Sequence, residues 1–187
     1  MLAMPAGHLD PAAIGEWVAD APDTLLLARW VIPVVPSGVV LQNQALALAG
    51  DRISTILPQT EALQKYPAAE RVELGNHLLI PGLINMHSHA AMSLLRGVAD
   101  DLALKPWLEN HIWPLEQNWV DEDFVRDGTR LACAEMIRCG TSCFADMYFF
   151  PNVVGQVALQ SGMRAQVAFP LLDFRSNWAK DGDEHLR

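Results

Sequence analysis

The pattern of hydrophobic positions changes character near residue 80. Before it, short apolar stretches alternate with turn residues. Leu25 to Ile32 is apolar and bounded by Pro22 and Pro33, which predicts a buried strand. From Val39 to Ala49 apolar and polar residues partly alternate. Gly50-Asp51 then supplies a turn, and Arg52 to Leu57 follows as the second arm of a hairpin. Thr60 to Tyr66 predicts a short helical turn, and Arg71 to Leu74 a further strand that ends at Gly75-Asn76.

From His77 to His89 the chain is almost continuously apolar and ends in polar residues. A run apolar on both faces suits a parallel strand covered on both sides. Pro81-Gly82 interrupts it, so the core strand is expected to begin after Gly82. Beyond it, Leu104, Trp107, Leu108, Ile112 and Leu115 recur at near-helical spacing. Asp121 suits an N-cap, with Glu122 and Asp123 at the positive end of a helix that runs to about Arg138 and stops at Gly140. Thr141 to Tyr148 predicts a strand, Asn152 to Ser161 a helix ended by Gly162, and Arg164 to Leu172 another strand. Strand, helix, strand, helix, strand is the order of a parallel α/β sheet. Two parts are therefore expected, 1–79 and 80–187. An eightfold α/β barrel needs about 250 residues, and the second part has room for about three of its βα units. If the fold is a barrel, the expectation is an incomplete one.

Composition narrows the function. Of 187 residues, 51% are hydrophobic and 19% charged, which is globular rather than disordered. The net charge of -9, with no Lys/Arg cluster, argues against nucleic acid and anionic membrane as partners. Residues 1–20 lack a basic start and a long apolar run, so no targeting segment is expected, and no apolar run spans a bilayer. Cys133, Cys139 and Cys143 form no CxxC pair. They read as small core residues of a reducing compartment, the cytoplasm.

His87-Ser88-His89 carries the chemistry. Side chains two apart on a strand share a face, so both imidazoles project together and can converge on one ion. They also end an apolar strand, where parallel α/β folds place functional groups. The alternative is a pair of surface or capping histidines without a ligand.

Pro81-Gly82-Leu83-Ile84-Asn85-Met86-His87-Ser88-His89 resembles the first barrel strand of the amidohydrolase superfamily. The continuation from His89 to Leu102, Trp107-Leu108, Ile112 to Glu116, Gly140 to Phe149 and Gly162-Met163-Arg164 is similar to its methylthioadenosine/S-adenosylhomocysteine deaminase group, often classed with the triazine hydrolases. The resemblance spans most of the chain. It implies a TIM-type barrel, here the first three βα units, preceded by a small β-sandwich that in relatives is completed from the far C-terminus. It also implies a zinc-class divalent ion, held in part by His87 and His89, and water-dependent deamination at C6 of an adenine nucleoside with release of ammonia. The family's remaining metal ligands and proton-shuttling groups match no residue here, so no catalytic residue is assigned; His111 and His185 do not sit at matching positions.

By the same resemblance Trp107 packs against the nucleoside, and Glu116 receives the ribose hydroxyls. Trp107 also belongs to the amphipathic stripe, and Glu116 also suits a solvated position near a helix end. Asp146 reads as a hydrogen-bonding structural aspartate, Tyr148 and Phe149 as wall, and Arg96 and Asp100-Asp101 as loop-shaping residues. The implied partner is a small nucleoside, with a homo-oligomer possible by analogy. Two rivals stand beside this reading: a hydrolase of a triazine, guanine or another heterocycle, and a fragment inactive and poorly behaved on its own.

Overall fold

The computed structural model describes residues 21–172 and 175–185. The expectation that residues 1–20 hold no targeting segment lies outside them. Two compact units emerge, with the division between Pro81 and Gly82.

The first unit is a four-stranded mixed sheet of order β3-β2-β1-β4, built from β1 (Thr24–Val31), β2 (Leu41–Ala49), β3 (Arg52–Pro58) and β4 (Glu70–Leu79), with α1 (Gln59–Lys65) between β3 and β4. The hairpin forms as expected: β2 pairs antiparallel with β3, and Gly50 takes a φ of 57° that an L side chain disfavours. Leu25, Leu27, Ala45, Ala47, Leu57 and Ala62 form the core of this unit. Gln59 Nε2 donates to the Ala28 carbonyl at 3.0 Å, which ties α1 to β1. Among the described residues this unit is one sheet. One expectation needs correction. β4 does not stop at Gly75-Asn76: Leu74 pairs with Ala28 and Leu78 with Trp30, so Gly75, Asn76 and His77 stand opposite Arg29 alone. Turn-forming residues here make a bulge, because parallel pairing to β1 resumes beyond them.

The second unit is a parallel sheet of order β5-β6-β7, from β5 (Leu83–Ser88), β6 (Thr141–Met147) and β7 (Arg164–Ala168). The crossovers contain α4 (Glu122–Arg138) and α5 (Pro151–Gln160). Asp121 caps α4 as expected, accepting from the Phe124 amide at 2.8 Å, and Gly140 follows its end at a φ of 81°. The core joins Val125, Ala132 and Cys133 of α4, Phe144 of β6, and Val153, Val154 and Val157 of α5. Gly82 leaves room for Ser142, whose Oγ lies 2.3 Å from where a Cβ would sit.

Here too the structure departs from the pattern. Burial of β5 on both faces is the expectation, yet Ile84 is 62% and Met86 77% exposed, because nothing among the described residues covers them; β5 is an outer strand of this sheet. β7 ends at Ala168 rather than Leu172, where Pro170 removes a ladder donor. The helical stripe after Leu104 is interrupted: α2 (Leu104–Trp107) passes through a π turn (Leu108–Ile112) into α3 (Trp113–Trp119). Pro114, which has no N–H to donate, sits in the first turn of α3, and the wider turn precedes it. Ile112 is buried as expected, but Leu104 is exposed. Cys133 is buried, whereas Cys139 is exposed at the end of α4. The last helix among the described residues is α6 (Gly182–His185). No helix among the described residues is long and apolar enough to cross a membrane.

Candidate active site

His87 and His89 leave the end of β5 together. Their ring centroids lie 5.1 Å apart with planes at 82°. His87 is exposed and His89 half-buried. The His87 amide donates to Asn85 Oδ1 at 3.2 Å, which steadies the strand end.

Three successive residues at the end of β6 hold what surrounds the pair. Asp146 stands in register with Ser88, and its Oδ1 accepts from Ser88 Oγ at 2.8 Å and from the Ala90 amide at 2.6 Å, gripping the chain on both sides of His89. The Met147 carbonyl lies 2.7 Å from His89 Nδ1. A carbonyl only accepts, so that nitrogen carries the proton, and in the neutral ring the lone pair lies on Nε2. Tyr148 donates its hydroxyl to Glu116 Oε1 at 2.8 Å.

Asp146 is 3% exposed, and its Oδ2 has no partner among the described residues. Burial raises its pKa, opposed by the bonds from Ala90 and Ser88. The structural role expected of Asp146 is thus visible as a clamp on the histidine-bearing segment. From Ala90 to Leu95 the chain makes a 3-10 turn that lies on α4 at Gly128, where an added Cβ would sit 2.3 Å from the Ala91 carbonyl oxygen. Arg96, just beyond, pairs with Glu135 of α4 through two bonds of 2.9 and 2.6 Å, and Asp101 turns the loop at a φ of 60°.

Beside His89 opens a cleft of about 620 Å³, lined by Trp107, Ile112, Glu116, Tyr148 and Arg175 among others. Its mostly apolar wall with a few polar groups is the usual make-up of a small-molecule site. Trp107 and Glu116 therefore line one cavity with His89. Glu116 is not a freely solvated glutamate. Burial raises its pKa, against the opposing effects of the Tyr148 bond and the nearby His89 ring. The Tyr148 phenol is raised by burial and then by Glu116, so it stays a neutral donor. Asn177 fixes the end of α3 from across the cleft: its Nδ2 donates toward the carbonyls of Glu116 at 3.1 Å, Gln117 at 2.8 Å and Val120 at 3.1 Å. His111 lies exposed on the π turn and does not line the cleft.

Sequence reasoning missed Arg175 and Asn177, treated Tyr148 as wall, and had no means of seeing the Met147 carbonyl. A hydroxyl on an aromatic one residue past a strand end was the one available signal.

The raised Glu116 pKa has a consequence for stability. The folded state holds the Glu116 proton more tightly than the unfolded state, so stability falls as pH climbs from the ordinary glutamate value through the raised one. Glu116→Gln is expected to melt at a higher temperature than the parent at pH 7.5, with the gap closing toward pH 4. Paired thermal melts across that range check it, and a gap independent of pH contradicts it.

A divalent ion suits this donor set in part. Two imidazoles share one strand end, and a backbone carbonyl commits the outer nitrogen of one of them, the usual support behind a metal-ligating histidine. Among the described residues no group of three or more His, Cys, Asp or Glu is placed to hold a metal, and two imidazoles are fewer than the three protein ligands usual at a catalytic zinc.

The strand-borne histidine pair, the parallel sheet and the cleft define a chain of the amidohydrolase class. The Amidohydrolase family pattern matches residues 78–187, and the chain belongs to that family. It is 49% identical over 164 residues to a 5-methylthioadenosine/S-adenosylhomocysteine deaminase of Saccharophagus degradans, covering 88% of this chain and 37% of that protein. A 5'-deoxyadenosine deaminase of Methanocaldococcus jannaschii is 43% identical over 132 residues, 71% of this chain and 31% of its own length. The crystal structure of an adenosine deaminase from Xanthomonas campestris with bound zinc superposes with a TM-score of 0.86 at 43% identity, over 90% of this chain and 38% of that one. The chain thus spans little more than a third of the length of these relatives, and its fold is of the TIM-barrel-like type of its amidohydrolase neighbours.

Proposed function

We propose that this chain carries the nucleoside-binding face and two metal ligands of a hydrolytic deaminase acting on adenine nucleosides of the methylthioadenosine or S-adenosylhomocysteine type. The observation that carries the reading is Glu116: a half-buried, braced carboxylate in the same apolar cleft as Trp107 and His89. The names of the relatives support the same substrate class.

His87 and His89 would hold the ion, with zinc the first expectation. When bound, a divalent ion there supplies Lewis acidity and activates water near neutral pH. The chain's own residues bind and orient. The indole of Trp107 offers a flat apolar surface to a purine. Glu116 accepts from ribose hydroxyls, a charge-assisted contact that separates nucleosides from free bases. The apolar wall keeps bulk water from the base. Proton transfer is assigned to no residue of this chain. The overall change replaces the C6 amino group by oxygen from water and releases ammonia. The net charge of -9 supports a small-molecule partner rather than nucleic acid or membrane. Cytoplasmic residence and a homo-oligomer belong to the same proposal.

The test is deamination of methylthioadenosine by the full-length, metal-loaded protein, with Glu116→Gln beside it. Loss of a charge-assisted bond is worth about 1.5–3 kcal/mol, so KM is expected to rise by roughly 10- to 100-fold while kcat changes far less. An unchanged KM, or activity only on a free base or triazine, overturns the assignment in favour of another heterocycle.

A further inference from the structure

We propose that Tyr148 is a positioning residue that sets the selectivity of Glu116 for a vicinal diol. This rests on the reading of Glu116 given above and deepens it. A glutamate has three side-chain torsions, and a carboxylate in an apolar cleft gains by swinging toward water. The Tyr148 hydroxyl, itself only 4% exposed with its residue, opposes that swing through the 2.8 Å bond to Oε1. Phenylalanine would fill the same space, so the hydroxyl matters here for its bond. It occupies one acceptor direction of Oε1 and leaves the other, together with both of Oε2, for two neighbouring hydroxyl donors.

The placement of Tyr148 in the chain adds a second consequence. It directly follows Met147, whose carbonyl holds His89 at 2.7 Å. One strand end therefore fixes both the histidine beside the reacting end of the cleft and the carboxylate at its sugar end. The separation between them acts as a gauge for a ligand in which a diol and a base stand at fixed distance. At its far side Glu116 is held through its own carbonyl by Asn177 at 3.1 Å, so the carboxylate is restrained from the backbone and from its tip.

The experiment compares the parent protein, Tyr148→Phe, Glu116→Gln and the double variant, each full-length and metal-loaded, on a 5'-substituted adenine ribonucleoside and its 2',3'-dideoxy counterpart. Tyr148→Phe is expected to raise KM for the ribonucleoside about tenfold with kcat within about threefold, and to leave KM for the dideoxy substrate within about twofold. In the Glu116→Gln background it is expected to add less than about twofold. A rise in KM for both substrates alike, no rise for either, or a fall in kcat at constant KM overturns the proposal. If Glu116→Gln separates the two substrates and Tyr148→Phe does not, the role of Tyr148 fails and the reading of Glu116 stands. If neither variant separates them, the diol reading itself fails. Thermal melts accompany the assays, and Tyr148→Leu, which removes the phenol without adding volume to a buried site, is expected to repeat the ribonucleoside-specific loss if Tyr148→Phe folds poorly.

Discussion

Full-length protein in which His87 and His89 are both alanine is expected to lose its divalent ion and to deaminate at least about a thousandfold more slowly, on the order of 4 kcal/mol of transition-state stabilisation. The two rings stand at one strand end with centroids 5.1 Å apart, and His89 is the histidine that lines the cleft among the described residues. Catalytic zinc sites use about three protein ligands, and the loss of two leaves too few to hold the ion against water. Metal content by elemental analysis and initial rates of ammonia release check this together. Full metal occupancy in the double variant would place the ion elsewhere. His89 alone is expected to matter through its geometry as well, because its proton is committed to the Met147 carbonyl.

Gly128→Ala is expected to destabilise the second unit by roughly 2 kcal/mol. The added Cβ would sit 2.3 Å from the Ala91 carbonyl oxygen, 2.8 Å from its Cα and 2.9 Å from its carbonyl carbon. All three are backbone atoms, so no rotamer relieves the clash and the 3-10 turn after His89 must move. Overpacking of this kind costs about 3 kcal/mol, against which alanine's better helix propensity returns about 1 kcal/mol. Gly155 of α5 is the control: a Cβ there meets nothing within 4 Å, so Gly155→Ala is expected to stabilise by roughly 0.5–1 kcal/mol. Urea titrations of both variants check the pair. Equal stability of Gly128→Ala and the parent would mean that the turn yields freely, and then metal affinity should be unaffected too.

Much of this protein is legible from neighbours in the chain. The Asp121 cap, the stop at Gly140 and the Gly50 turn each depend on residues a few positions away, and all appear where the pattern placed them. The HxH pair is of the same kind, since a strand's two-residue period puts both rings on one side before any tertiary contact exists. Failures arose where a local signal was outweighed at a distance. Gly75-Asn76 reads as a turn, but pairing with β1 carries β4 past it as a bulge. The apolar stretch of β5 reads as buried, but no element among the described residues packs over Ile84 and Met86.

What sequence alone determined is the periodicity, the caps and the pair of imidazoles, because these follow from backbone geometry and from residues in covalent reach. Tertiary structure decided which groups stand behind that pair. Asp146 reaches Ser88 across 58 positions, Met147 reaches His89 across 58, and Tyr148 reaches Glu116 across 32. No pattern of neighbours encodes those contacts. They exist because parallel pairing of β5 with β6 brings two strand ends level, and because packing of the intervening helices closes the cleft between them.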